Sequence, residues 1–114
     1  MSKIYTLRFR AVNEDIFQAI KNGKKKVETR AGTIKFRNIK KGDILKFVCG
    51  GKSFEKKIAR VTVFKTIPEL IKKYKIKEIN PAANSAEDLI KIYYSFPGYK
   101  EKIKEFGLIA MELN

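Results

Sequence analysis

Histidine is absent from this chain of 114 residues, and cysteine occurs once, as Cys49. Without histidine, no Ser–His or Cys–His nucleophile can form and no metal site can use imidazole ligands. A single cysteine excludes an internal disulfide and a typical structural zinc site, and it favours a reducing, cytoplasmic location. The sequence also lacks a Gly-rich phosphate-binding loop of either common pattern. Any catalysis must therefore use lysine, carboxylate, tyrosine or hydroxyl groups.

Long apolar runs are absent as well. No stretch approaches the roughly 20 residues that a membrane-spanning helix needs, and the alternating start of the chain does not resemble a signal peptide. The length and the apolar fraction of 44% fit one domain over residues 1–114 with one modest core. We expect no membrane partner, no metal and no cofactor, and we favour a monomer.

Positive charge is what the chain has in excess. Lysine and arginine number 26 against 12 acidic residues, which gives a net charge of +14. Residues 1–60 carry 17 basic and 5 acidic side chains, whereas residues 61–114 carry 9 and 7. A small domain with its positive charge concentrated in one half indicates a polyanionic partner such as nucleic acid. A lysine-rich surface that serves solubility alone is the alternative.

The hydrophobic patterns predict an α+β domain. Period-two alternation and the turn residues Gly50-Gly51 indicate strands and a hairpin, and helical stripes with capping residues indicate helices. The expected strands lie near residues 5–10, 26–30, 44–49, 52–65 and 108–113, and the expected helices follow Asn13 as N-cap, start near Ile67, and run from Ser85 to Phe96. Closing a sheet this small removes exposed edges. We therefore predict a five- to six-stranded, mainly antiparallel β pseudo-barrel flanked by two or three helices.

The segment from Gly23 to Arg30 is the most informative part of the chain. A glycine placed to end the first helix is followed by three consecutive lysines, and then by Glu28 and Arg30 at a spacing of two. On a strand, Glu28 and Arg30 point to the same face. There they form an ion pair, or they converge on a ligand, with Arg30 donating to a phosphate and Glu28 accepting from a base edge. An ordinary strand with solvated charges is the alternative.

This segment resembles the Gly-x-Lys-x-x-Glu-x-Arg signature of the ASCH (activating signal cointegrator homology) domain, a branch of the PUA-like superfamily. The matching positions are Gly23, Lys25, Glu28 and Arg30. Other parts resemble the family in the same order, namely residues 39–45, Asn80-Pro81 with the following helix, and Tyr99 with residues 107–113. The resemblance implies a PUA-like pseudo-barrel with a cleft beside the signature, and it implies binding of RNA or nucleotides.

The same resemblance implies an alternative, a nucleotide-directed hydrolase. Some relatives deacylate acetylcytidine with a lysine, a threonine nucleophile and a glutamate, and another is described as a ribonuclease. Lys25 matches the lysine, but Glu28 stands at the threonine position, Thr29 is expected on the opposite face, and residues 80–84 contain no acid. If the chain is an enzyme, Lys25 and Glu28 are the expected acid–base pair.

Our leading hypothesis is an RNA- or nucleotide-binding domain with a basic cleft beside the Gly23–Arg30 segment. Lys25, Glu28 and Arg30 are expected to line a pocket for a nucleotide or for a base splayed out of a single strand. Eight further basic residues are expected to contact phosphates: Lys24, Lys26, Lys35, Arg37, Lys40, Lys41, Arg8 and Arg10. The expected partner is a nucleotide, or RNA that is single-stranded or tRNA-like.

Overall fold

The computed structural model describes residues 2–114 and shows an α+β fold built on one sheet. Within these residues the strands are β1 (Ile4–Phe9), β2 (Val27–Ala31), β3 (Ile44–Cys49), β4 (Lys52–Phe64) and β5 (Leu108–Leu113). The helices are α1 (Glu14–Lys21), α2 (Ile67–Lys73), α3 (Ile76–Ile79), α4 (Ala86–Ser95) and α5 (Tyr99–Phe106), and a 3₁₀ turn at Ala11–Asn13 precedes α1.

The sheet has the strand order β1-β3-β4-β5-β2, and it curls because β4 is shared between two halves. The first part of β4, up to Lys57, pairs with β3, and the part from Ile58 onwards pairs with β5. A break in register between Ile58 and Arg60 marks the point where the long strand bends. The result is a half-barrel whose two edge strands, β1 and β2, face each other across an open seam.

Two apolar clusters stabilise the half-barrel from opposite sides of the sheet. The first, which we call the barrel core, fills the concave side and includes Leu7, Phe17, Ile20, Leu45, Phe47, Ile58 and Met111. The second, the helix-side core, lies between the outer face of β2 and β5 and helices α2 to α5, and it includes Val27, Leu70, Ile79, Leu89, Tyr93, Leu108 and Ala110. Strand β5 is buried on both faces because its alternate residues enter the two clusters.

The expected fold class is confirmed, with five strands in residues 2–114 and three antiparallel pairings against one parallel pairing, β1 with β3. The number of helices exceeds the two or three that we expected. Helix α3 has only four residues, and α5 has few apolar residues, although Ile103 is buried. Such short or polar helices are stabilised by packing more than by their own sequence pattern.

The side chains of the N-cap residues cap α2 and α4, but the expected N-cap of α1 does not form. The Thr66 hydroxyl accepts a hydrogen bond from the Glu69 amide, and the Ser85 hydroxyl accepts one from the Asp88 amide. Asn13, which we expected to cap α1, makes no side-chain capping bond because the 3₁₀ turn leads the chain directly into the helix. No helix within residues 2–114 has both the length and the apolar content needed to cross a bilayer.

Candidate nucleotide site at the open seam

A cavity of about 480 Å³ lies at the seam between the two edge strands. One wall comes from Arg8, Phe9 and Arg10 at the end of β1, and the facing wall comes from Lys25 and from residues 28–30 of β2. The start of α1, the segment around Asn80, and helix α4 complete the lining. Its volume lies within the range of about 300–1,000 Å³ that small-molecule sites occupy.

Strand β2 directs its charged and its hydroxyl side chains to opposite faces. Glu28 and Arg30 lie opposite Met111 and Ile109 of β5, on the side of the barrel core. Thr29 lies opposite Ala110 on the side of the helices. Because β2 is an edge strand, the cavity reaches side chains from both of its faces.

Glu28 lies between two cations. Its Oε1 is 3.6 Å from Lys25 Nζ, and its Oε2 is 3.6 Å from Arg30 Nη2. Oε1 also accepts a hydrogen bond of 2.9 Å from the Thr29 amide. Burial alone would raise the pKa of Glu28, but the two cations and the Thr29 amide hold that pKa below its usual range. The carboxylate is therefore ionised at neutral pH.

Lys25 is buried and its ammonium group is surrounded by acceptors. Gly23, with a φ of 83°, turns the chain out of α1, and the Lys25 amide then donates to the Ala19 carbonyl at 3.0 Å. Nζ donates to the Val27 carbonyl at 2.8 Å and to the Ile79 carbonyl, with Glu28 nearby. Burial lowers the pKa of Lys25; the Glu28 carboxylate opposes this shift, and the Arg30 guanidinium adds to it. The ammonium has three hydrogens and three acceptors around it.

Arg30 is the most accessible of the three charged residues Lys25, Glu28 and Arg30. About 31% of its side chain is exposed, against 6% for Lys25 and 7% for Glu28. Its guanidinium carbon lies 5.9 Å from the centre of the Phe36 ring. Its Nε is buried and has no hydrogen-bond partner among residues 2–114. A buried donor without a partner is uncommon in a folded protein.

Aromatic side chains form the wall on the helix side. The Tyr93 hydroxyl is hydrogen-bonded to the Thr29 hydroxyl, and the rings of Tyr93 and Tyr99 are nearly parallel with centres 6.5 Å apart. Burial raises the pKa of Tyr93, so its phenol stays protonated. The Tyr99 hydroxyl accepts a hydrogen bond of 3.3 Å from the Ala31 amide. Phe96, at the end of α4, lines the same cavity and is 45% exposed.

The structure brings five of the eleven basic and acidic residues expected at the site to the cavity lining: Arg8, Arg10, Lys25, Glu28 and Arg30. Lys24 lines a neighbouring hollow, and Lys26 turns towards Glu78, with Nζ 3.9 Å from its carboxylate. The remaining four, Lys35, Arg37, Lys40 and Lys41, lie outside the cavity lining, in the loop that follows β2. Lys35 lies near Arg30, because its Nζ is 5.4 Å from the centre of the Phe36 ring that the Arg30 guanidinium also approaches.

Several residues of the lining had no clear signal in the sequence. Tyr93 belongs to an apolar helical stripe, as expected for a core residue, and its hydroxyl role with Thr29 appears only when α4 packs on β2. Tyr99 follows a Pro-Gly pair that hides the start of α5. The Asn80-Pro81 pair, which is part of the family resemblance, was a sequence signal for this region of the site, because Asn80 lies in the cavity lining.

Two solved structures are similar to this chain over its whole length. The crystal structure of the hypothetical protein PH0355 is 33% identical, with a TM-score of 0.82, and the match covers 100% of this chain and 98% of that chain. The solution NMR structure of protein PF0455 from Pyrococcus furiosus is 31% identical, with a TM-score of 0.76, and the match covers 100% and 96%. No family model and no curated protein matches the chain.

Fold and site together define a small α+β half-barrel protein with a charged cavity at its open seam. At these levels of identity and coverage, the chain belongs to the same family as PH0355 and PF0455.

Proposed function

We propose that this protein binds RNA through a pocket for a single nucleotide at the open seam, in the manner of an ASCH-type, PUA-like domain. The observation that carries the proposal is the position of Glu28, held ionised between Lys25 and Arg30 on the wall of a cavity of about 480 Å³. This wall combines a fixed hydrogen-bond acceptor, the Glu28 carboxylate, with an accessible donor, the Arg30 guanidinium. A nucleotide needs both, because it presents amino groups and phosphate oxygens.

The charge of the wall favours an anionic ligand. Lys25 and Arg30 outnumber Glu28, and the exposed Arg8 and Arg10 stand at the end of the opposite edge strand, so the lining has four cations against the carboxylates of Glu28 and Asp15. The chain as a whole carries a net charge of +14. In this arrangement Arg8, Arg10 and Arg30 contact phosphate oxygens, and counterion release from the nucleic acid adds a salt-dependent contribution to affinity.

The remaining features suit a base. An ionised carboxylate accepts hydrogen bonds from the amino and imino groups of a base edge. The exposed ring of Phe96 offers an apolar face at the mouth of the cavity, and stacking of a base on an aromatic ring contributes about 1–3 kcal/mol. Single-stranded RNA is favoured over duplex nucleic acid because only an unstacked base can enter such a pocket.

Binding is favoured over hydrolysis by the environment of Lys25 and Thr29. The Lys25 ammonium donates to the Val27 and Ile79 carbonyls and faces Glu28, so its three hydrogens are engaged within the protein and none points to a substrate. The Thr29 hydroxyl is engaged by Tyr93, on the opposite face of β2 from Glu28. A threonine nucleophile activated by Lys25 would need these contacts to be exchanged.

The test compares Arg30→Ala with Arg60→Ala in binding to a fluorescent single-stranded RNA and to a tRNA at low salt. Arg60 is an exposed arginine of β4 that lies outside the cavity lining, so the two variants lose the same charge. We expect Arg30→Ala to weaken binding by about 1–3 kcal/mol and Arg60→Ala to have a much smaller effect. Absence of RNA binding by the unmodified protein contradicts the proposal, and so do equal effects of the two variants. Turnover of acetylcytidine or cleavage of the RNA, lost in Lys25→Ala, establishes the hydrolase instead.

A further inference from the structure

A second hollow, of about 290 Å³, continues the cavity along α1. The two spaces share three lining residues, Asp15, Ile16 and Ala82, which form a saddle between them. Beyond the saddle, the second hollow runs between α1 and Pro81, and its polar lining comes from Gln18, Asn22 and Lys24. A ligand in the cavity can therefore extend across the saddle without leaving the protein surface.

Both walls of the second hollow are fixed by local hydrogen bonds. On the α1 side, the Asn22 side-chain carbonyl accepts from the Lys24 amide at 3.1 Å. On the other side, the Asn80 side-chain carbonyl accepts from the Ala82 amide at 2.9 Å. These two bonds hold the backbone on both sides of the hollow, at Asn22–Lys24 and at Asn80–Ala82.

The chemistry of the second hollow matches a nucleotide. The Gln18 amide group both donates and accepts hydrogen bonds, which suits a base edge, and the exposed Lys24 supplies a charge for a phosphate. Asp15 at the saddle accepts hydrogen bonds only and disfavours a phosphate there. The ribose of the cavity nucleotide must therefore cross the saddle, with its 2′-hydroxyl donating to Asp15 and the linking phosphate beyond it, beside Lys24.

We propose that the second hollow binds the nucleotide next to the one held in the cavity, so that the recognised unit is at least two consecutive ribonucleotides. This inference rests on the proposed function of the cavity. The two parts of the ligand are covalently linked, so the second contact adds affinity without a second loss of translational freedom.

The experiment measures binding of the four ribonucleoside 5′-monophosphates and of the sixteen ribodinucleotides that carry a 5′-phosphate (pNpN) by isothermal titration calorimetry. We expect the best dinucleotide to bind about tenfold more tightly than the best mononucleotide. Gln18→Ala and Lys24→Ala are each expected to reduce dinucleotide affinity by about three- to tenfold and to leave mononucleotide affinity within about twofold. Lys21→Ala is the matched control, because Lys21 lies in the last turn of α1 and lines neither space.

The outcomes separate this inference from the proposed function. If the best dinucleotide binds within about twofold of the best mononucleotide, the second subsite is contradicted while the cavity proposal stands. Equal weakening of both ligand classes by Gln18→Ala also contradicts it, because the residue then acts through the fold. If neither ligand class binds, both proposals fail together.

Discussion

The cavity wall formed by Lys25, Glu28 and Arg30 and the loop of residues 32–43, here called the basic loop, both carry positive charge. The proposed function assigns both regions to RNA binding, but their charged side chains differ in burial and pairing. In the wall, Lys25 and Glu28 are buried and paired. In the basic loop, the buried Phe36 and Ile39 anchor the backbone in the barrel core, and the basic side chains point outwards. Buried charges interact strongly and in one geometry, whereas exposed charges are screened by salt within about 10 Å. We infer that the wall supplies selectivity and the loop supplies long-range attraction.

The largest expected difference between the two regions is in stability. Replacing Glu28 with glutamine keeps the shape of the side chain but leaves the Lys25 ammonium buried without its carboxylate partner. Breaking a buried ion pair from one side costs roughly 3–5 kcal/mol, and the two carbonyl acceptors of Lys25 place this case near the lower end, about 3 kcal/mol. Urea unfolding followed by circular dichroism measures the loss in the free energy of unfolding.

Glu55→Gln is the matched control for this prediction. Glu55 is an exposed residue of β4, so removing its charge should change the free energy of unfolding by no more than about 0.5 kcal/mol. A Glu28→Gln variant that is equally mild would mean that the charges of the wall resemble those of the loop, and the contrast between the two regions would be lost.

The second prediction uses pH to separate the ionised carboxylate from the shape of the side chain. The pKa of Glu28 in the folded protein lies below its ordinary value of 4.5, so above that pH the folded state gains stability from the ionised group. As the pH falls below about 4.5, the unfolded chain takes up the proton first, and the gain is lost as the pH passes through the folded pKa.

The measurement is the difference in unfolding free energy between the unmodified protein and Glu28→Gln, followed from neutral to acidic pH. This difference should shrink as the solution becomes more acidic, because protonated Glu28 and glutamine are both uncharged. A difference that stays constant across the acidic range would assign the effect to hydrogen-bond geometry alone.

At the site, the sequence predicted which face of β2 each side chain occupies, but not the tertiary contacts of those side chains. The spacing of Glu28 and Arg30 on a strand predicted their shared face, because side chains of a strand alternate with a period of two. The same rule placed Thr29 on the opposite face, as the structure confirms. The partner of Thr29 could not be predicted, because Tyr93 is 64 residues away and meets it only through tertiary packing.

In the fold as well, the local features were predictable from the sequence, whereas the long-range pairings were not. The Gly50-Gly51 hairpin and the long return strand are local features, and the structure has both. The parallel pairing of β1 with β3 and the open seam depend on which strands meet across the whole chain. The burial of Lys25 was equally hidden, since its acceptor on Ile79 lies 54 residues away.

The smallest expected effect is that of a substitution in the basic loop, where the lost charge is exposed rather than buried as in the cavity wall. Lys40→Ala removes an exposed charge whose backbone amide, bonded to Asp43 at 3.0 Å, is unaffected. Stability should change by no more than about 0.5 kcal/mol, and if Lys40 contacts one phosphate, the slope of log affinity against log salt should fall by about 0.7. Binding to a single-stranded RNA is titrated over a range of salt concentrations, with Lys104→Ala on α5 as the control. A slope that Lys40→Ala leaves unchanged would place this lysine in bulk solvent in the complex and contradict its assignment to phosphate contact.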